Sequence, residues 1–392
     1  MYERRKKADR RTGGLVNKRT GGQTHKGTGG QADGEKLTPL SELGEFGLID
    51  RLTKDFPIYH SATIKGVGDD AAVIDTGTDN RRDEAPTAMG TGTRRDEACL
   101  ISTDLLVEGI HFDMVYTPLK HLGYKAVAVN VSDIAAMNGT PTHLTVSVAV
   151  SSRFSVEALE ELYEGIRLAC QKYRLDLVGG DTSTSTGGLL ISVTILGKAW
   201  KEEVVYRSGA KPGDLLCVTG DLGSAYIGLL LLEREKKVFQ ANPAMQPQLS
   251  GLDYPVGRFL KPEARTDIRS LLQGIGVKPT SMIDISDGLA SEALHLCRMS
   301  DTGCLIYDDK IPIDPQVREL AMEFKIIPSV AALSGGEDYE LLFTVAPTGS
   351  GKIPELPGIT VIGHMTPPAE GKTLITPDGK EVEITAQGWT VF

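Results

Sequence analysis

Six short segments of the chain set acidic side chains among glycines and hydroxyls. They are Gly68-Asp69-Asp70, Ser102-Thr103-Asp104, Asn130-Val131-Ser132-Asp133, Gly179-Gly180-Asp181-Thr182, Asp284-Ile285-Ser286-Asp287-Gly288 and Ser334-Gly335-Gly336-Glu337-Asp338. Each alone reads as a turn, an element end or a helix cap, because Asp, Ser and Gly favour those positions. Jointly they support a different chemistry. Carboxylates converging with hydroxyls are what a hard cation such as Mg²⁺ requires, since it takes oxygen ligands and keeps several waters. Several such ions can carry the phosphates of a nucleotide. The pattern therefore points to an ATP- and Mg²⁺-dependent phosphotransferase whose site is built from aspartates rather than a P-loop.

Two phosphate-binding look-alikes fail on mechanism. Thr348-Gly349-Ser350-Gly351-Lys352 has Ile353 where a Walker A loop needs Ser or Thr, and Pro354 follows, so no long helix can begin there. Gly66-Val67-Gly68-Asp69-Asp70-Ala71 fits dinucleotide-loop spacing but would set two carboxylates against a pyrophosphate. Carboxylates face phosphates only with divalent cations between them. Two further residues carry a choice. His111 is either a satisfied structural histidine or a substrate contact. Arg207 is either a surface arginine or a fork for phosphate oxygens.

Positioning these groups requires alternating strands and helices. An apolar stripe of Leu159, Leu162, Ile166 and Ala169 predicts a helix over 156–173, and residues 122–137 predict another. On the second, Val127, Val131 and Ile134 form the core stripe while Asn130 and Asp133 share a different face. Strands are expected over 143–150, 175–178, 189–196, 215–219, 281–285 and 339–345, with helices over 224–237 and 288–299. Ser286 or Asp287 could cap the last of these. Segments 71–74 and 99–102 should form a hairpin. Between them lies a Thr/Gly-rich insertion, 77–97, in which Arg-Arg-Asp-Glu-Ala occurs twice. Residues 1–40 carry Thr-Gly-Gly at a step of eight after basic residues, a polar tract expected to be a disordered tail that the chemistry does not need.

With 392 residues, 40% hydrophobic and 24% charged, the chain suits two domains: 41–200 for ATP and Mg²⁺, and 201–392, with the break near 200–213. The formal net charge of -10 argues against a nucleic-acid partner. Five scattered cysteines without CxxC spacing suit reduced thiols in the cytoplasm, and no apolar run approaches a membrane span.

In these ordered motifs, together with Gly109-Ile110-His111-Phe112 and Arg207-Ser208-Gly209-Ala210-Lys211-Pro212-Gly213-Asp214, the sequence resembles the thiamine-monophosphate kinase family from about Glu42 onward, the insertion excepted. The resemblance implies an α/β (α+β) chain with the two-domain aminoimidazole ribonucleotide synthetase-like fold, its N-terminal sheet pairing across a homodimer. It also implies phosphorylation of thiamine monophosphate by ATP, the last step of thiamine diphosphate synthesis. By that likeness Asp70, Ser102, Thr103, Asp104, Asp133, Asp181, Asp284 and Asp287 would hold Mg²⁺, with Asp133, Asp181 and Asp287 closest to catalysis. Tyr163, Gly180, Asp181, Arg207 and Ser286 would contact ATP; His111, Glu337 and Trp389 would meet the thiamine substrate. Three alternatives stay open at this level. One is another superfamily synthetase, although Cys99 is the only thiol in the first 150 residues. The others are a metal-dependent phosphatase and a non-catalytic binding protein.

Overall fold

The computed structural model describes residues 44–77, 96–348, 351, 353 and 356–386. The expected tail, most of the insertion and Trp389 lie outside them. The first sheet has six strands: β1 (Thr63–Lys65), β2 (Ala72–Asp75), β3 (Glu97–Val107), β4 (Thr140–Val150), β5 (Asp176–Thr184) and β6 (Leu190–Trp200). Their spatial order is β1-β2-β3-β6-β4-β5, antiparallel except for the β4–β5 pair. The expected hairpin is present, with Ala72 paired to Ile101 and Asp75 to Ala98.

Helices α1 (Gly44–Thr53), α2 (Leu119–Ala136) and α3 (Val156–Tyr173) accompany this sheet. The span of α3 matches the sequence expectation. Its stripe buries Leu162, Ile166 and Ala169, and the Ser155 hydroxyl caps it by accepting the Ala158 N–H. α2 is buried on nearly all sides because the sheet, α3 and the second half of the chain enclose it. Two glycines let α2 and α3 approach. A Cβ at Gly123 would lie 1.9 Å from the Leu162 carbonyl oxygen, and one at Gly165 1.9 Å from that of Lys120. Gly165→Ala is therefore expected to cost about 3 kcal/mol of stability, read by urea denaturation at unchanged m-value. A loss below about 0.5 kcal/mol would show that the two helices can part without penalty.

The second sheet has seven strands: β7 (Leu215–Thr219), β8 (Ser281–Asp284), β9 (Gly303–Tyr307), β10 (Leu341–Val345), β11 (Ile359–Thr366), β12 (Lys372–Ile375) and β13 (Glu381–Glu383). They lie in the order β13-β12-β9-β11-β7-β10-β8. Among the described residues, six helices belong to this half: α4 (Ser224–Ala241), α5 (Asp253–Leu260), α6 (Ile268–Gly274), α7 (Leu289–Ser300), α8 (Pro315–Glu323) and α9 (Pro328–Ser334). One large core lies under α4, α7, α8 and α9 and another includes residues of α6. The expected mixed α/β class is what the chain shows.

Three local expectations need correction. Gly179 to Thr182 is no turn but the middle of β5, held in a parallel ladder with β4. There a Cβ at Gly180 would lie 1.9 Å from the Val146 carbonyl oxygen, so close strand approach accounts for that glycine. Ser102 to Asp104 is likewise mid-strand rather than at a strand end. Neither Ser286 nor Asp287 caps α7. The capping position is Gly288 at φ 119°, with no side-chain bond, and the Asp287 N–H donates instead to Glu292.

Candidate active site

A cavity of about 710 Å³ lies where the two sheets meet α2, a volume suited to small-molecule ligands. Strand alternation explains how β3 serves it. Ala98, Leu100 and Leu106 are buried on the face toward α2, so Ser102 and Asp104, of the same parity, point that way too. Ser102 donates its hydroxyl to Oδ2 of Asp133 on α2, and Asn130, one turn earlier, accepts the Asp104 N–H at 3.1 Å. Thr103 borders the cavity but turns its hydroxyl to the other face, where it donates to the Val193 carbonyl at 3.0 Å.

Asp70 arrives from the loop before β2, and Asp284 from the end of β8. With Asp133 they offer three carboxylate oxygens all within 4.8 Å of one another. Asp70 is fully withdrawn from water, and its Oδ2 has no hydrogen-bond partner. Its Oδ1 accepts Nη2 of Arg207 at 2.6 Å and Nε at 3.2 Å. Three clustered carboxylates with one arginine leave uncompensated negative charge. Burial and the neighbouring Asp104, Asp284 and Asp70 carboxylates hold Asp133 well above the usual carboxylate range. Burial, then Asp70, pushes Asp284 up to about 7 against the pull of the Ser132 hydroxyl and Arg207. Asp69 is raised to about 6, by burial first and Asp70 second. An orphaned buried oxygen amid mutually repelling, oxygen-only donors fits a hard divalent cation.

Asp287, Ser286, His111 and Glu337 also line the cavity. His111 accepts the Val107 N–H on Nδ1 at 3.0 Å, which fixes Nε2 as its protonated nitrogen. Glu337 sits at φ 65°, its N–H donating to the Ser286 carbonyl at 2.7 Å. Of the other sequence candidates, Tyr163 on α3 and Gly180 and Asp181 on β5 do not border the cavity within one chain. Asp181 pairs with Ser147, which pairs with Ser192, which faces Leu105, so two strands separate it from β3.

Several residues in and behind the cavity wall were not drawn from the motifs. Lys125, two turns before Asp133 on α2, does not itself border the cavity but pairs with Glu337, which does. A lysine set between Tyr124 and the apolar run Ala126–Val129 was the available signal. Tyr116, Phe259 and Lys236 form an aromatic and basic part of the wall, while His295 and Arg298 from α7 form another. None of these carries a motif. Burial, with Arg207 and Arg298 nearby, lowers His295 to about 4, so it is neutral at physiological pH.

Residues 68–199 match the family model of the AIR synthase related protein N-terminal domain. The hydrogenase maturation protein HypE in complex with ATP, 17% identical with TM-score 0.59 over 90% of this chain and 99% of that one, shares the fold. The architecture is thus that of the AIR synthase-like proteins. Nearer relatives narrow it. Thiamine-monophosphate kinase of Bacillus subtilis is 33% identical over 89% of this chain and all of its own length. That of Aquifex aeolicus is also 33% identical, over 90% of this chain and 99% of its own. A solved structure of AaThiL complexed with AMPPCP and TMP aligns with TM-score 0.72 and 32% identity, covering 91% of this chain and 100% of that one. The chain belongs to the thiamine-monophosphate kinase family.

Proposed function

We propose that this protein transfers the γ-phosphoryl group of ATP to the phosphate of thiamine monophosphate, giving thiamine diphosphate, as the final step of that synthesis in the cytoplasm. The observation that carries this is the convergence of Asp70, Asp133 and Asp284, from a loop, a helix and a strand end, beside Arg207 in a ligand-sized cavity. The names and bound ligands of the relatives support the choice of substrates.

The acceptor is a phosphate monoester, largely ionised near neutral pH. Its oxygen forms the new bond to the γ-phosphorus as the bond to the β-bridging oxygen breaks, and ADP leaves with that electron pair. Little or no proton need be removed, so no general base is required. The chain's work is alignment and charge compensation. Asp70, Asp133 and Asp284, with Asp104 and Asp287 beside them, would hold Mg²⁺, which when bound would neutralise the phosphates of both substrates. Arg207 sets a guanidinium at the edge of the cluster, suited to phosphate oxygens. Ser286 sits between Asp284 and Asp287 on the nucleotide side of this reading, while His111 with its Nε2–H and Glu337 meet the thiamine moiety. Trp389, the other substrate contact implied by the family likeness, lies outside the described residues.

Asp181, Gly180 and Tyr163 would enter from a second copy. The face of the first sheet away from α2 carries Leu105 at 51% exposure, and β5 is exposed throughout, with Leu177 at 45% and Val178 at 59%. Such a patch suits pairing of two sheets in a homodimer. Val178→Asp is expected to give monomers by analytical ultracentrifugation and to lose transfer together with the dimer. A monomeric wild type, or a fully active monomeric variant, would remove the partner's residues from the site.

The deciding experiment is purified protein with ATP, Mg²⁺ and thiamine monophosphate, followed by chromatography of the thiamine species. Formation of thiamine diphosphate and ADP in equal amounts is expected. Phosphate release without thiamine diphosphate would make the protein a phosphatase, and unchanged ligands would make it a binding protein.

A further inference from the structure

Lys125 is 2% exposed in the middle of α2. Its ammonium contacts Oε2 of Glu337 and lies 4.2 Å from the centroid of the Phe259 ring. A buried ammonium persists only with a partner, so the two side chains form a pair of zero net charge. Glu337 nevertheless reaches the cavity, with 16% of its side chain exposed beside Phe259. A second charged group on the wall differs. There Asp113 and Glu233 share the single ammonium of Lys236, at 2.8 and 3.2 Å, which leaves one negative charge.

We propose that Lys125 is a specificity-determining residue, which converts Glu337 from a counter-ion into a fixed hydrogen-bond acceptor so that this wall selects the neutral, amine-bearing ring of the acceptor rather than its cationic one. The proposal rests on thiamine monophosphate being the acceptor. Once its charge is matched by Lys125, Glu337 gains little from a nearby thiazolium; the Asp113–Lys236–Glu233 group, net negative, is the better place for that cation. What Glu337 retains is acceptor capacity, aimed by the ammonium behind it and by the hydrogen bond from its own N–H to Ser286. An exocyclic amine on a pyrimidine donates to such an oxygen. A 4-oxo ring presents an acceptor at the same place and meets it lone pair to lone pair, leaving a buried polar group unpaired. Lys125 touches no reacting atom in this account; it acts through Glu337.

The test compares thiamine monophosphate with its 4-oxo analogue, oxythiamine monophosphate, in the wild type, Lys125→Met and Glu337→Gln. The KM for ATP and the melting temperature are read in each. The wild type should prefer the amine by on the order of 100-fold in kcat/KM. In Lys125→Met the preference should fall below about tenfold, with the KM for ATP changed less than about threefold, because the carboxylate loses its aim. In Glu337→Gln it should narrow or reverse, since Lys125 keeps the amide oxygen and turns the amide N–H₂ toward the ring. Full discrimination by Lys125→Met, or a wild type that turns over both substrates equally, would overturn the proposal alone. Where Lys125→Met does not fold, Glu337→Gln decides, and an unchanged preference overturns the proposal. No thiamine diphosphate from the wild type would overturn the functional reading itself, and this inference with it.

Discussion

Asp133→Asn is expected to abolish phosphoryl transfer, by on the order of 10³-fold or more in kcat, while the metal-free protein becomes more stable. Asparagine keeps the shape of the side chain on α2, so packing is preserved. What changes is charge. The carboxylate accepts the Ser102 hydroxyl and lies among Asp104, Asp284 and Asp70, each of which raises its proton affinity. Removing one of these negative charges relieves repulsion in the metal-free fold, and the amide N–H₂ can donate to a neighbouring carboxylate. The same removal takes an anionic ligand from the cation site, and an amide oxygen is a poorer ligand for Mg²⁺. Opposite signs on stability and activity are the signature of a residue retained for function at the expense of the fold. Turnover within about tenfold of wild type would remove Asp133 from the cation site. A variant that unfolds would show that its role is structural.

The joint occurrence of the acidic motifs suggested that they converge, but their spacing alone did not say which of them meet. Asp70, Asp133 and Asp284 are 63 and 151 positions apart, in a loop, a helix and a strand end, and only tertiary packing brings them within 4.8 Å. Local pattern succeeded where local physics decides. α3 was legible to the residue because its amphipathic stripe is a short-range signal. It failed at β5, where Gly-Gly-Asp-Thr has turn composition but pairing with β4 imposes an extended chain. The same failure hid where Asp181 lies. A motif shows a residue type at a spacing, and says nothing of which strand of a sheet, or which subunit, will present it. Lys125 was missed for a related reason. Its meaning depends on Glu337, which lies 212 positions away on a backbone held at positive φ.

Without Mg²⁺, the protein is expected to lose stability as the pH rises from about 5 to about 8, the reverse of ordinary acid denaturation. The sign follows from the direction of the shifts. Asp284 is raised from 3.8 to about 7 and Asp69 from 3.8 to about 6, and Asp70 and Asp133 move the same way. Between those limits the unfolded chain has released protons that the folded chain still holds. The folded state therefore binds more protons, and its stability is full below about pH 4 for these groups and falls as pH climbs through the folded values. Carboxylates shifted the other way, such as Asp267 beside Arg265, oppose this trend at the acid end, so a stability maximum near pH 5 is expected. Added Mg²⁺ should raise the melting temperature most at pH 8, where the cluster is most fully ionised, and little at pH 5, where protons occupy it. Replacing Asp133 by asparagine should flatten both dependences. The measurement is thermal unfolding in chelator and in excess Mg²⁺ across this range. A metal-free melting temperature that rises steadily to pH 8, or a Mg²⁺ effect independent of pH, would mean that these carboxylates do not form the cation site.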